Sequence, residues 1–90
     1  MTRVIWKHII SHPETGILFR PGDRILSAAT QDGNPCVWAE HDGDVIGCPT
    51  RIVRAVPTGR GPKPGDEFIG TCHDVGGAGL VMHLYLTPEG

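Results

Sequence analysis

The sequence lacks several features that would have placed it quickly. Its three cysteines, Cys36, Cys48 and Cys72, are odd in number and show no C-x-x-C spacing. A disulfide framework or a structural zinc site is therefore not expected, and free thiols fit a reducing compartment. No apolar run approaches the ~18 residues of a membrane helix. The N-terminal stretch shows no signal-peptide pattern, so a cytoplasmic protein that does not enter a membrane is expected. There is no strong charge of either sign: the formal net charge is −2, which argues against a general nucleic-acid or membrane binder. Internal repeats and low-complexity tracts are also absent.

Uninterrupted stretches long enough for a helix are scarce as well. Thirteen glycines and eight prolines punctuate the 90 residues at intervals, and this favours an all-β chain. Ninety residues form a single domain, 1–90, with a thin core, so a homo-oligomer is expected.

The most legible stretch runs from Arg24 to Asp42. Two apolar-rich segments flank Gln31-Asp32-Gly33-Asn34-Pro35, a turn whose residues tolerate φ > 0, and the whole reads as a β-hairpin. Before it, Val4–Ile10 is β-branched and aromatic and reads as an interior strand. A short strand follows at Gly16–Arg20. Arg20-Pro21-Gly22-Asp23 has the chemistry of a type II turn. After the hairpin, 42–50 is a loop, and Arg51–Val56 alternates with Ile52, Arg54 and Val56 on one side and Arg51, Val53 and Ala55 on the other. Pro57–Gly65, with three prolines and three glycines, is an irregular loop. Glu67–His73 and Leu80–Leu86 close the chain, joined by Asp74–Gly79. These are about seven short, mainly antiparallel strands, as in a small β-sandwich or barrel. Cys36, Trp6 and Trp38 are expected in the core.

The residues Val4-Ile5-Trp6-Lys7, the segment Gln31-x-Gly33-x-Pro35-Cys36-x-Trp38-Ala39, Arg51-Ile52-Val53, Thr58-Gly59, Phe68-Ile69-Gly70-Thr71, Gly76-Gly77 and His83 occur in this order along most of the chain. In them the chain resembles a family of small phage- and prophage-encoded proteins of unknown function. The family's Thr-Gly-His-Pro loop reads here Thr58-Gly59-Arg60-Gly61-Pro62, with the histidine replaced. The resemblance implies a phage accessory protein acting in the host cytoplasm, and no established activity.

Candidate chemistry is sparse. His8, His12, His41, His73 and His83 have no metal-ligand spacing with one another or with the cysteines, and the adjacent Cys72 and His73 point to opposite faces of a strand. No metal and no cofactor is expected. No local signature marks a catalytic cysteine or histidine. Asp74–Gly79 is glycine-rich but lacks the strand-to-helix context of a phosphate fingerprint, although its amides could form an anion nest.

Charge segregation gives the strongest pointer. Residues 45–65 carry Arg51, Arg54, Arg60 and Lys63 without an acid, whereas 25–44 carry Asp32, Glu40, Asp42 and Asp44 without a lysine or arginine. Guanidinium forks and glycine-exposed amides suit phosphates. The candidate ligand-binding set is Arg51, Arg54, Thr58, Gly59, Arg60 and Lys63, with His83 and Tyr85 sharing one face of the last strand. The alternative for these cations is an ordinary solvated turn. Three functions follow from these residues and, for their setting, from the resemblance: non-enzymatic capture of a small anionic, nucleotide-like ligand; a protein-interaction module, which the resemblance would place on a host defence protein or in the virion; and a small phosphodiesterase using His83 or His73. An enzyme is the less favoured class.

Overall fold

In the computed structural model, which describes residues 2–88, the chain forms seven strands: β1 (Arg3–Ile9), β2 (Glu14–Ile17), β3 (Arg24–Gln31), β4 (Asn34–Asp42), β5 (Arg51–Pro57), β6 (Glu67–Val75) and β7 (Leu80–Leu86). They pair antiparallel in two sheets, β1-β4-β3 and β2-β5-β7-β6. The sheets pack face to face as a sandwich that does not close into a barrel. Among the described residues no helix is long and apolar enough to cross a membrane.

Local chemistry sets the turns. Asp32 (φ 52°) and Gly33 (φ 79°) join β3 to β4, and Gln31 pairs directly with Asn34. Two consecutive positive φ values are the mark of a type I′ turn, whose twist matches that of the strands it joins. At Pro21-Gly22, Asp23 N donates to Arg20 O at 3.0 Å and Gly22 has φ 91°, as a type II turn requires.

The core lies between the sheets. Val37 and Ala39 of β4 face Val53 and Ala55 of β5 and Met82, Leu84 and Leu86 of β7, with Ile10, Ile17, Phe19 and Cys72 completing the cluster. Each large aliphatic side chain buried here contributes ~1.5–3 kcal/mol. The expected parity of β5 is observed, with Val53 and Ala55 inward.

At one margin the sheets nearly touch. A Cβ on Gly70 of β6 would lie 2.6 Å from the Ala28 Cβ of β3, so only glycine fits. Thr30 Oγ1 donates to His73 O, and Gly76 N donates to Gly33 O at 2.7 Å. The Asp74–Gly79 loop is thereby committed: Gly77 N donates to Asp74 O and Gly79 N to Asp74 Oδ1. Three of its amides are consumed, and the loop is not the anion nest its composition suggested.

Other expectations are corrected. β1 is an edge strand, because β4, with partners on both sides, occupies the centre of its sheet. Trp6 is therefore 52% exposed at the sheet margin and is not a core residue. Trp38 is half-buried on the outer face, across from Lys7, while Cys36 is buried as expected. The second strand ends at Ile17, earlier than expected, because Phe19 exchanges hydrogen bonds with the Thr50 hydroxyl rather than with a strand.

Candidate functional site

The pleat brings three of the sequence-derived residues, Arg54, His83 and Tyr85, to the outer face of the four-stranded sheet. Cross-strand pairing aligns Glu14, Arg54, Tyr85 and Phe68 in one row and Val56, His83 and Thr71 in the next, since directly paired residues share a face. Phe68 and Tyr85 meet edge to face at 5.6 Å. His83 lies between two hydroxyls, with Nε2 2.9 Å from Thr58 Oγ1 and Nδ1 3.1 Å from Thr71 Oγ1.

The loop after β5 overhangs this face. Pro57–Arg60 forms a turn in which Arg60 N donates to Pro57 O and Gly59 has φ 98°. A second turn follows, in which the Asp66 carboxylate accepts from Lys63 N at 3.0 Å and Asp66 N donates to Lys63 O. Between loop and sheet lies an open cavity of about 350 Å³ bordered by Glu14, Arg54, Pro57, Arg60, Gly61 and Lys63. Arg54 is partly neutralised there. Its Nη1 donates to Glu14 Oε2 at 2.8 Å, and its Nε lies 3.2 Å from Asp66 Oδ2, at ion-pair distance but without hydrogen-bond alignment. Among the described residues Arg60 and Lys63 have no side-chain ion pair, so they carry the cationic capacity of the cavity.

Arg51 is not part of this group. It belongs to the opposite face of β5, where Nε and Nη2 donate to Thr87 O at 2.9 and 2.6 Å and the guanidinium lies 5.4 Å from the Phe19 ring centroid. It borders a separate cavity of about 560 Å³ with Glu14, Thr50, Ile52 and Thr87. Two of its donors pin the segment after β7 to β5.

A family model described as a domain of unknown function, DUF7352, matches residues 1–90. The chain belongs to this family. No curated protein and no solved structure matches it.

The DUF7352 chain holds a second polar constellation that its sequence did not advertise. Asp23, at the end of the type II turn, is buried in the sandwich. It accepts from Arg20 N (3.0 Å), from Asp42 N (3.1 Å) and from His41 Nδ1 (2.8 Å). His41 is fully buried, and its Nε2 faces His8 Nε2 at 2.9 Å, so one proton lies between the two rings. Burial alone would raise the Asp23 pKa, but the N–H groups of Arg20, His41 and Asp42 outweigh it and hold the carboxyl at about 2. Burial, followed by the facing His41, lowers the pKa of His8. The sequence signal was available in part: His41 continues the inward parity of Val37 and Ala39. Asp23 and His8 are brought to it only by the fold. The relay forms a structural cross-brace from the turn through β4 to β1. Among the described residues no group of three or more His, Cys, Asp or Glu is arranged to hold a metal ion.

Proposed function

We propose that this domain is a non-enzymatic, phage-encoded accessory protein that captures a small anionic, nucleotide-like ligand on the outer face of its four-stranded sheet. The observation that carries this reading is the convergence of Arg54, Arg60 and Lys63 on one open cavity, with the last two unpaired among the described residues. Phosphate oxygens suit such a site, because guanidinium and ammonium donors make charge-assisted bonds to them. The Thr58–His83–Thr71 ladder starts in the same loop and supplies hydroxyl and imidazole groups for a sugar or base edge. Both His83 nitrogens are engaged, which suits a positioning group better than a free general base.

The resemblance to small phage proteins supports a role in the host cytoplasm, where holding such a ligand would withdraw an immune signal. Sequestration by a homo-oligomer is consistent with the small core. Calorimetry with cyclic and linear adenine nucleotides tests the reading. Binding is expected, and Arg60→Ala or Lys63→Ala should weaken it roughly 10-fold or more each, as loss of a charge-assisted bond does. Absence of heat with every nucleotide refutes capture, and appearance of cleavage products on chromatography of the mixture replaces it with phosphodiesterase activity.

A further inference from the structure

The free edge of β1 is built to pair. The two ends of its ladder with β4 are fixed by Ile10 N donating to Pro35 O and Gly43 N donating to Thr2 O, both at 2.8 Å. Antiparallel alternation then turns the backbone groups of Val4, Trp6 and His8 toward β4 and those of Arg3, Ile5, Lys7 and Ile9 outward. No strand among the described residues meets that outer edge.

Edges of this kind are ordinarily protected by charged side chains, lysine above all. Here every ionisable side chain of β1 is drawn back over its own sheet. Lys7 Nζ donates to Gln31 Oε1 on β3 at 2.6 Å. Arg3 Nε donates to Glu40 Oε1 and its Nη2 to Gly22 O, both at 3.0 Å. The His8 ring is turned to His41. The edge is left with Ile5, Trp6 and Ile9, which are 62%, 52% and 52% exposed.

We infer that this edge pairs with the same edge of a second copy, antiparallel about a two-fold axis at Trp6, joining two three-stranded sheets into one of six strands. Self-pairing is favoured over a foreign strand because the edge complements itself. In the register centred on Trp6, Arg3 lies opposite Ile9 of the second copy and Ile5 opposite Lys7, so every outward-facing residue of β1 meets another outward-facing residue. All seven residues overlap, and no like charges stand opposite each other. Trp6 then faces Trp6 of the second copy at a non-hydrogen-bonded position, where paired Cα atoms are only ~4.5 Å apart and aromatic pairs stabilise most. The interface is isologous, as closed dimers require. This gives the oligomer of the proposed function a defined contact, yet it is tested without ligand, so the two readings fail separately.

Sedimentation velocity across protein concentrations up to about 1 mM decides it. The wild-type chain is expected at twice its 9.7 kDa mass. Ile5→Pro removes only an outward N–H, which an edge strand tolerates, and should give a monomer with unchanged β-sheet circular dichroism. Trp6→Glu and Trp6→Lys should each be monomeric, because they set like charges opposite each other. Their equimolar mixture should recover the dimer, with at least a 10-fold gain in association over either alone. A wild-type monomer at all concentrations overturns the inference and leaves the edge to a strand of another protein. So does a dimer that survives Trp6→Glu, or a mixture that stays monomeric.

Discussion

Replacing Asp23 by asparagine is the most informative perturbation of the fold. The wild-type carboxylate accepts from Arg20 N, Asp42 N and His41 Nδ1, and its side chain has no exposed surface. Its pKa moves from 3.8 to about 2. At ~1.4 kcal/mol per unit, ionised Asp23 contributes about 2 kcal/mol to stability at neutral pH. Asparagine offers one acceptor oxygen to three donors and turns an NH₂ group on one of them. Asp23→Asn should therefore cost ~2–3 kcal/mol, or roughly 10–20 °C in Tm for a domain of this size. The sign of the pH dependence follows from the direction of the shift. The unfolded carboxyl binds its proton more readily than the folded one, so the contribution is complete above about 4 and is lost as pH falls from 3.8 toward 2. Urea unfolding of both chains from pH 7 down to pH 2 measures this. The gap between wild type and variant should be widest at pH 7 and close in that acid window. A gap below ~0.5 kcal/mol at pH 7, or one that does not change with pH, would refute the assignment of the stability to the ionised carboxylate. In both chains an earlier decline is expected as pH drops below 6.5. The folded state holds the His8 pKa below that value, so the unfolded imidazole takes up its proton first.

Two further outcomes are expected. Gly70→Ala places a Cβ 2.6 Å from that of Ala28 and should cost ~1–3 kcal/mol by overpacking. Ala28→Gly in the same chain should restore part of that loss in urea titrations. In thiol labelling of the native protein, Cys48 is exposed and should react rapidly, whereas Cys36 and Cys72 are buried and should react only on unfolding. Burial raises the pKa of Cys72 and slows it further.

What the sequence disclosed was what short-range chemistry decides. The Pro21-Gly22 and Asp32-Gly33 turns follow from the φ that each residue accepts, and the alternation of Arg51–Val56 follows from the period of a strand. That same alternation already separated Arg51 from Arg54. Grouping the two as one basic arm ignored the pleat, which sends Arg51 to the Phe19 side and Arg54 to the cavity. Strand order was not legible, because it depends on pairings remote in sequence. Val4–Ile10 has an interior composition but an edge position, and only the capture of β4 between β1 and β3 makes it so. The Asp23–His41–His8 relay was hidden for the same reason: a turn residue and two strand histidines, 18 and 33 residues apart in successive steps, meet only when β1 and the turn before β3 have both docked against β4. The approach of Arg60 and Lys63 to Arg54 depends in turn on how a proline-rich loop folds over Asp66.

The clasp between β3 and β6 makes the sandwich mechanically asymmetric. Thr30 and His73, 43 residues apart, are linked along one flank together with Gly33 and Gly76, while on the opposite flank the end of β1 and β2 are tied locally, by Ser11 N donating to Thr15 Oγ1 across four residues. Transient opening of the native state is therefore expected to begin at the flank with only the local tie. Hydrogen exchange should show the β1 and β2 amides opening through local motion, and those of the central strands β4, β5 and β7 exchanging only when the whole domain unfolds. A partner seated on the β1 edge would slow exchange across that flank, so the flank expected to open first is also the one through which association would reach the core.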